Sequence, residues 1–246
     1  MRLAVFGDIH GNLPALRAVL EDLQAQGADE RLCLGDVATG GPWPGECLRE
    51  VAALGCPVVR GNADRELLGP PVPFRDRGFP DERELYDQEC WSAAQVTAAG
   101  RGIVAGFLDT ATFPDLLAFH GSPERDDEVL EAQTPDTQTP EGRLAELRAA
   151  FGTAPVWVGG HTHKPLLRTL EGWTLLNPGS VGLPFEKRGG VYVNPARAEY
   201  LLLDRVPGGW QPTFRRVPYP VEEIRQGFRT SGIPHAEWAA AGWVPG

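Results

Sequence analysis

The chain has 246 residues, enough to bury a full core as one large α/β domain with at most a small appendage. Hydrophobic residues make up 42% and charged residues 23%, the proportions of a globular protein. A net charge of −10 argues against non-specific binding to DNA, RNA or an anionic membrane surface, but not against nucleotides, because bound metals make a pocket locally positive.

Arg2 to Phe6 is a short apolar run ended by Gly7-Asp8, which predicts a buried strand. Leu13, Leu16, Val19, Leu20 and Leu23 then recur at helical spacing, with Asn12 as N-cap, Pro14 in the first turn and Gly27 as the stop. Arg31 to Leu34 reads as a second strand ending in Gly35-Asp36, Glu46 to Leu54 as a helix closed by Gly55, and Pro57 to Arg60 as a third strand ending in Gly61-Asn62. This β-α-β-α-β order predicts a parallel sheet with right-handed crossovers. Gly69 to Pro80 reads as an exposed loop and Glu84 to Ala99 as a helix. Asp115 to Phe119 predicts a strand ending at His120, Gln133 to Pro140 a polar linker, Leu144 to Phe151 a helix, and Pro155 to Val158 a strand ending at Gly159-Gly160-His161. Beyond that, Leu166–Leu170, Thr174–Leu176, Val191–Val193, Glu199–Leu203 and Gln211–Val217 suit short strands of an antiparallel second sheet. Val221 to Phe228 and His235 to Ala241 read as two C-terminal helices, so the expected division is a domain over 1–219 and a helical tail over 220–246 packed on it.

Cys33, Cys47, Cys56 and Cys90 contain no Cys-x-x-Cys pair, which speaks against a disulfide or zinc framework. The N-terminus opens into a strand without a basic, apolar leader, and no stretch is long enough to span a bilayer. The expectation is a cytoplasmic protein.

Four of the five histidines fall in Asp8-Ile9-His10, His120-Gly121-Ser122 and His161-Thr162-His163, with Gly35-Asp36 and Gly61-Asn62 between them. Imidazole, carboxylate and amide oxygen are the ligand set for a pair of divalent ions. Asp8, Asp36, Asn62, His120 and His161 each follow a predicted strand, and in open α/β sheets the ligand crevice lies outside the carboxyl ends of the strands. Asp8 and His10 share one side of an extended segment, as do His161 and His163. Singly, each motif reads equally well as a turn, a cap or a surface histidine; in this order they point to one site.

The order Asp-x-His, Gly-Asp, Gly-Asn, His-Gly, Gly-His-x-His resembles the calcineurin-like metallophosphoesterase superfamily, and in particular its small bacterial phosphodiesterases, which share the Asn177-Pro178-Gly179-Ser180 turn. The resemblance implies a four-layer αββα sandwich with two mixed sheets and a di-metal site at the strand carboxyl ends. It implies one ion held by Asp8, His10, Asp36 and His163 and another by Asp36, Asn62, His120 and His161, with Asp36 bridging. Catalysis would rest on Asp36, Asn62 and His120, through in-line attack of a metal-bridging hydroxide on a phosphoester. A ligand set of nitrogen and oxygen without thiolate fits Mn, Fe, Zn, Co or Ni, with Mn favoured, rather than Ca or Mg.

Two positions depart from the pattern. Many relatives carry a histidine after the Asn, thought to protonate the leaving group; here the run is Gly61-Asn62-Ala63-Asp64, and Ala63 cannot donate a proton. Asp64 offers a carboxylate nearby, as a candidate catalytic group or as a helix-N-terminal acid. Thr39 stands where many relatives have Asp or Gly. Arg60, Arg65 and Lys164 flank the ligand motifs and are candidates for phosphate binding, against the alternative of solvated or paired charge. Trp43 could stack on a base or pack within its loop, and His235 has no companion at ligand spacing. The expected substrate is a small phosphoester or nucleotide-like molecule, with no membrane partner, and a homo-oligomer is compatible with the sequence. The competing expectations are a phosphomonoesterase, including a protein phosphatase, and a non-catalytic metal-binding scaffold.

Overall fold

The computed structural model describes residues 1–76, 78, 80–130 and 140–246. Alternation along the strands explains the layering. In β1 (Arg2–Phe6), Leu3 and Val5 face one way and Ala4 and Phe6 the other, and all four are fully buried. A strand with two apolar faces must be covered on both. One sheet runs in the order β10 (Gly209–Pro218), β9 (Val191–Val206), β1, β2 (Glu30–Cys33), and β9 also pairs with β8 (Glu186–Arg188) and β11 (Trp243–Pro245). The other sheet runs β3 (Ala111–Phe113), β4 (Leu116–Ala118), β5 (Val156–Val158), β7 (Trp173–Asn177), β6 (Leu166–Leu170).

Leu3, Val5, Leu32 and Leu201 from the first sheet meet Leu116, Ala118, Val156 and Val158 from the second, forming the layer between the sheets. The opposite face of the first sheet, with Phe6 and Tyr200, packs on α1 (Leu13–Gln26), α2 (Pro44–Ala53) and α7 (Val221–Ser231) through Leu16, Val51 and Phe228. The outer face of the second sheet, with Leu117, Phe119 and Trp157, packs on α6 (Glu141–Phe151) through Leu144 and Leu147. The result is a four-layer αββα sandwich with two mixed sheets, as β1–β2 and β4–β5–β7 are parallel while β1–β9 and β6–β7 are antiparallel. Ile224 and Phe228 of α7, Ala240 of α8 (Ala236–Gly242) and Trp243 of β11 belong to the same core as α1. No helix among the described residues is long and apolar enough to cross a membrane.

The first helix forms as its sequence predicts: Asn12 Oδ1 accepts from the Ala15 amide at 3.2 Å, and Gly27 ends the helix with φ 66°. Elsewhere the structure revises the sequence expectations. Pro57 to Arg60 joins the sheets only through single bridges, Cys33 to Val58 and Val59 to Leu108. The helix expected over Glu84 to Ala99 is two, α4 (Glu82–Gln95) and α5 (Ala98–Ala105), because Thr97 is extended and caps the second by accepting from Gly100 N. The strands expected at Val191–Val193 and Glu199–Leu203 are one strand, β9, whose first half pairs with β8 and β11 and whose second half pairs with β1 and β10. The polar run Asn194-Pro195-Ala196-Arg197, where β9 changes partners, hides that continuity in the sequence. The late strands do not form one antiparallel sheet: β6 and β7 join the second sheet, and β8 to β11 join the first. The expected linker lies, up to residue 139, outside the described residues.

Candidate metal centre

Five loops converge at the carboxyl ends of the parallel strands. Asp8 and His10 follow β1, Asp36 follows β2, Asn62 opens the short α3 (Asn62–Glu66), His120 follows β4, and His161 and His163 follow β5. Among the described residues, the non-glycine residues with left-handed backbone include Asp8, His10, Asp36, His161 and His163, with φ from 47° to 68°. That conformation is costly for a residue with a Cβ, and it concentrates where surrounding structure enforces a functional geometry. The loops hold one another: Ile9 N and His10 N both donate to Asp36 O, and Gly160 N donates to His120 O.

The side chains face a common centre. Asp8 Oδ1 lies 3.4 Å from His163 Nε2 and 3.9 Å from His120 Nε2. Asp36 Oδ2 lies 3.3 Å from His120 Nε2 and 3.7 Å from His10 Nε2. His10 and His163 bring their Nε2 atoms to 3.1 Å, and the His161 ring stands 5.4 Å from that of His120. Asp8, His10 and His163 form one group able to hold an ion, and Asp8, Asp36 and His120 another. Both carboxylates thus reach across the two halves of the site. Asn62, an amide outside both groups, contributes a buried Oδ1.

Three imidazoles are aimed by main-chain carbonyls. Nδ1 of His10, His120 and His163 is paired with the carbonyls of Thr39 at 2.9 Å, Leu34 at 2.6 Å and Leu183 at 2.9 Å. An Nδ1–H donating to each carbonyl leaves Nε2 facing the centre, where its lone pair is available once any proton on it is lost, the arrangement that orients a metal-binding histidine. Asp8 Oδ1, Asn62 Oδ1 and His120 Nε2 are buried without a well-directed hydrogen bond, although Asp8 and His120 have ionic neighbours at 3.4 and 3.3 Å. Buried polar atoms are rarely left unpaired, because each costs about 1–3 kcal/mol. Such atoms, none of them a thiolate and two of them, Asp8 Oδ1 and His120 Nε2, 3.9 Å apart, fit divalent cations of the borderline kind, which would displace the imidazole proton.

The electrostatics agree. Burial alone would push the Asp8 and Asp36 carboxyls up; neighbouring imidazoles outweigh it, chiefly His163 for Asp8 and His120 for Asp36, and hold both below the usual carboxylate range. Burial likewise opposes charge on His120 and His163, but Asp36 raises His120 to about 10 and Asp8 raises His163. Burial, with cationic neighbours, lowers His10 and His161. Without metal, Asp36 thus sustains a proton on His120, and Asp8 favours one on His163.

Asp64 sits beneath this layer. It is fully buried, and it accepts from the amides of Asp36 at 2.7 Å, Val37 at 3.1 Å and Gly61 at 3.1 Å. Burial first, and Asp36 second, push its carboxyl up to about 7. Its distance in sequence from Asp36 gave no sign of this contact. Asp36 Oδ1 also accepts from Ala63 N at 2.9 Å. A Cβ at Gly61 would overlap Asp36 Oδ1, and one at Gly160 would come within 2.9 Å of Asp8 Oδ2, so both glycines make room for carboxylates. Asn177 ties the turn after β7 to the histidine loop by donating to Gly160 O at 2.6 Å, and Ser180 Oγ donates to Asp8 O at 2.8 Å. Ser180 is therefore engaged in holding the loops.

Arg60 and Arg65 line an open cleft of about 650 Å³ that begins at His120, where they pair with Asp109 and Asp126. Lys164 follows His163 in the chain, and its Nζ lies 5.4 Å from the centre of the Phe185 ring. Trp43 is set against Gly227 of α7, away from the metal-facing side chains, which is the packed alternative of the two expected for it. His235, expected to lack a companion, bonds through Nε2 to Asp87 Oδ2 at 3.0 Å, a pairing between residues too distant in sequence for spacing to reveal.

A sequence model of the calcineurin-like phosphoesterase superfamily domain matches residues 1–195. An uncharacterized protein of Methanocaldococcus jannaschii, MJ0912, is 25% identical over 96% of this chain and 94% of its own. The crystal structure of a metallophosphoesterase from Sphaerobacter thermophilus superposes with a TM-score of 0.73 at 26% identity, covering 98% of this chain and 99% of that one. A hypothetical protein from Pyrococcus horikoshii, PH1004, shares the fold with a TM-score of 0.74 at 20% identity over 97% of both chains.

Proposed function

For a chain that belongs to the calcineurin-like phosphoesterase superfamily, and so is a hydrolase of phosphoester bonds, we propose a phosphodiesterase acting on a small, nucleotide-like phosphodiester in the cytoplasm. The observation that carries the metal-dependent part of this reading is the convergence of Asp8, His10, Asp36, His120 and His163, with Asp8 Oδ1 and His120 Nε2 buried without a well-directed hydrogen bond 3.9 Å apart. We assign one divalent ion to Asp8, His10, Asp36 and His163 and a second to Asp36, Asn62, His120 and His161, with Mn favoured among Mn, Fe, Zn, Co and Ni. Bound there, the ions would activate water and draw charge from the phosphoryl oxygens.

The chain's own groups prepare that chemistry. Carbonyls of Thr39, Leu34 and Leu183 fix three imidazoles, so no reorganisation is needed when substrate arrives. Asp64 acts as a positioning residue, since it accepts from three amides that set the Asp36 loop. The cleft beyond His120 offers room for the second substituent that distinguishes a diester from a monoester. Arg60 and Arg65 present guanidinium groups there, restrained by their acidic partners, and Lys164 supplies positive charge beside Phe185. Ala63 supplies no proton to a departing alkoxide, so esters with good leaving groups are favoured.

Turnover of bis-aryl and mono-aryl phosphates by Mn-loaded protein tests this. Diester turnover should exceed monoester turnover, and Asp36→Ala and His120→Ala should each abolish it together with one or both bound metals. Faster monoester turnover would overturn the diesterase reading.

A further inference from the structure

The chain contains two lysines against many arginines, and both stand on one wall beside the metal centre. That wall is a hairpin. β8 and β9 pair with Lys187 opposite Tyr192 and Arg188 opposite Val191, leaving Gly189-Gly190 as a two-residue turn. Both glycines have left-handed backbone, at φ 58° and 90°, the conformation that a tight hairpin matched to strand twist requires. Side chains alternate along a strand, so Phe185 and Lys187 share a face, and Tyr192 joins it from across the pair. The contacts agree: Phe185 and Tyr192 meet edge to face at 6.1 Å, Lys187 Nζ lies 5.5 Å from the Tyr192 ring centre, and Lys164 Nζ lies 5.4 Å from that of Phe185.

The wall is continuous with the site. Phe185 stands 6.0 Å, ring to ring, from His163, and His163 Nδ1 is bonded to the carbonyl of Leu183, two residues before Phe185. Leu183 N in turn donates to Ser180 Oγ at 2.8 Å, and Ser180 Oγ donates to Asp8 O. The hairpin is thereby held in register with a metal-facing imidazole. Yet Tyr192 remains 58% exposed, too exposed for core packing to explain a ring at that place. An exposed aromatic ring edged by ammonium groups is suited to a flat, electron-rich heterocycle attached to an anion: the ring supplies a stacking face, and the ammonium groups supply charge for phosphate oxygens. In the cleft that begins at His120, the guanidinium groups of Arg60 and Arg65 are already paired with Asp109 and Asp126.

We infer that Tyr192, Phe185 and Lys187 form the subsite for a nucleobase, making the substrate a phosphodiester with a nucleoside on the His163 side of the metal centre. This inference rests on the phosphodiesterase reading and adds the substrate class to it. The base stacks on Tyr192, Phe185 buttresses that ring, and Lys187 faces the substrate's anionic portion.

Kinetics on two diesters with the same leaving group separate the claims: thymidine 5′-(p-nitrophenyl phosphate), which carries a base, and methyl p-nitrophenyl phosphate, which does not. Tyr192→Ala in the Mn-loaded protein should raise KM for the thymidine ester by about 5- to 100-fold, the range of one lost base stack, with kcat and the methyl ester nearly unchanged. Tyr192→Phe should restore KM, and Lys187→Ala should raise it by a smaller factor. Adenosine 5′-monophosphate binding, followed by calorimetry, should weaken in parallel in Tyr192→Ala and supplies a readout independent of turnover. Equal KM values for the thymidine ester in wild type and Tyr192→Ala, with unchanged nucleotide binding, would overturn the inference while leaving the diesterase reading intact. Absence of turnover of both diesters would remove the diesterase reading, and calorimetry would still decide the subsite. A changed sedimentation coefficient in Tyr192→Ala with unaltered KM would assign the wall to a second copy of the chain and overturn the inference.

Discussion

Asp64 Oδ2 accepts the backbone amide of Asp36 at 2.7 Å, so one buried acid, with no metal-facing oxygen of its own, aims the acid at the centre of the site. Asp64→Ala would leave three buried amides, those of Asp36, Val37 and Gly61, without an acceptor. We expect a loss of about 2–3 kcal/mol in unfolding free energy, because the cavity admits some water. Metal affinity should fall about 10- to 100-fold, as for other groups that orient ligands. Asp64→Asn, which keeps one acceptor oxygen, should recover part of both. Denaturant unfolding and metal titration measure the two effects, and wild-type metal affinity in Asp64→Ala would remove Asp64 from the positioning role.

The metal-free protein should respond to pH through Asp36 and His120. Burial opposes charge on both, but each sustains the other's: Asp36 lies below its ordinary 3.8, and His120 is raised from 6.5 to about 10. The Asp36 contribution to stability is present above pH 3.8 and is lost as pH falls through its depressed native value. The His120 contribution is complete below pH 6.5 and is lost as pH rises through about 10. Thermal midpoints of chelator-treated protein should therefore decline between those two alkaline limits. Added Mn should offset the decline, since it binds the deprotonated imidazole, and its uptake at pH 7 should release protons. Metal uptake without proton release in a weakly buffered indicator assay would argue against His120 as a ligand.

Gly61→Ala tests the fit of the Asp36 carboxylate to its loop. The added methyl would overlap Asp36 Oδ1 and approach the Asp36 amide to 2.8 Å. Displacement of the carboxylate is the least costly response, so stability should drop by about 1–3 kcal/mol, as in an overpacked core. Turnover should drop about 100-fold, the effect of misplacing a reacting group by about 1 Å. Near-normal kcat in a folded Gly61→Ala protein would show that Asp36 does not need its present position.

Ala63→His would supply a proton donor at the position after Asn62, where this chain has alanine. Position 63 is partly exposed, and only its backbone amide is used by Asp36, so a side chain can be added without disturbing that bond. Hydrolysis of diesters with poor alkyl leaving groups should rise by about tenfold or more, while p-nitrophenyl esters should change little, because a good leaving group needs no proton. An equal change for both ester classes would indicate an effect other than acid catalysis.

The converging site residues were legible because chemistry and topology agree at those positions. Asp8, Asp36, Asn62, His120 and His161 lie beside glycines after strands or short apolar runs, with His163 two residues on from His161, and a parallel sheet directs such ends to one rim. The groups that aim them were not legible. His10, His120 and His163 are oriented by carbonyls of Thr39, Leu34 and Leu183, and every residue carries a carbonyl, so side-chain identity marks none of these three. Thr39 departs from many relatives in its side chain, yet its contact with His10 is made by its main chain.

Local pattern by itself determined the strand-to-loop order, the helix over Leu13–Gln26 with its Asn12 and Gly27 caps, and the convergence of the ligand motifs. These depend on side-chain periodicity and turn chemistry, which act over a few residues. Tertiary structure decided the rest: that β9 is one strand serving two sets of partners, that Asp64 lies under Asp36, that His235 pairs with Asp87, and that Tyr192 and Lys187 stand on the side of His163. Each is a contact across many intervening residues. Its energy comes from burial and hydrogen bonding that exist only once the sheets are stacked, so no window of sequence carries its signature.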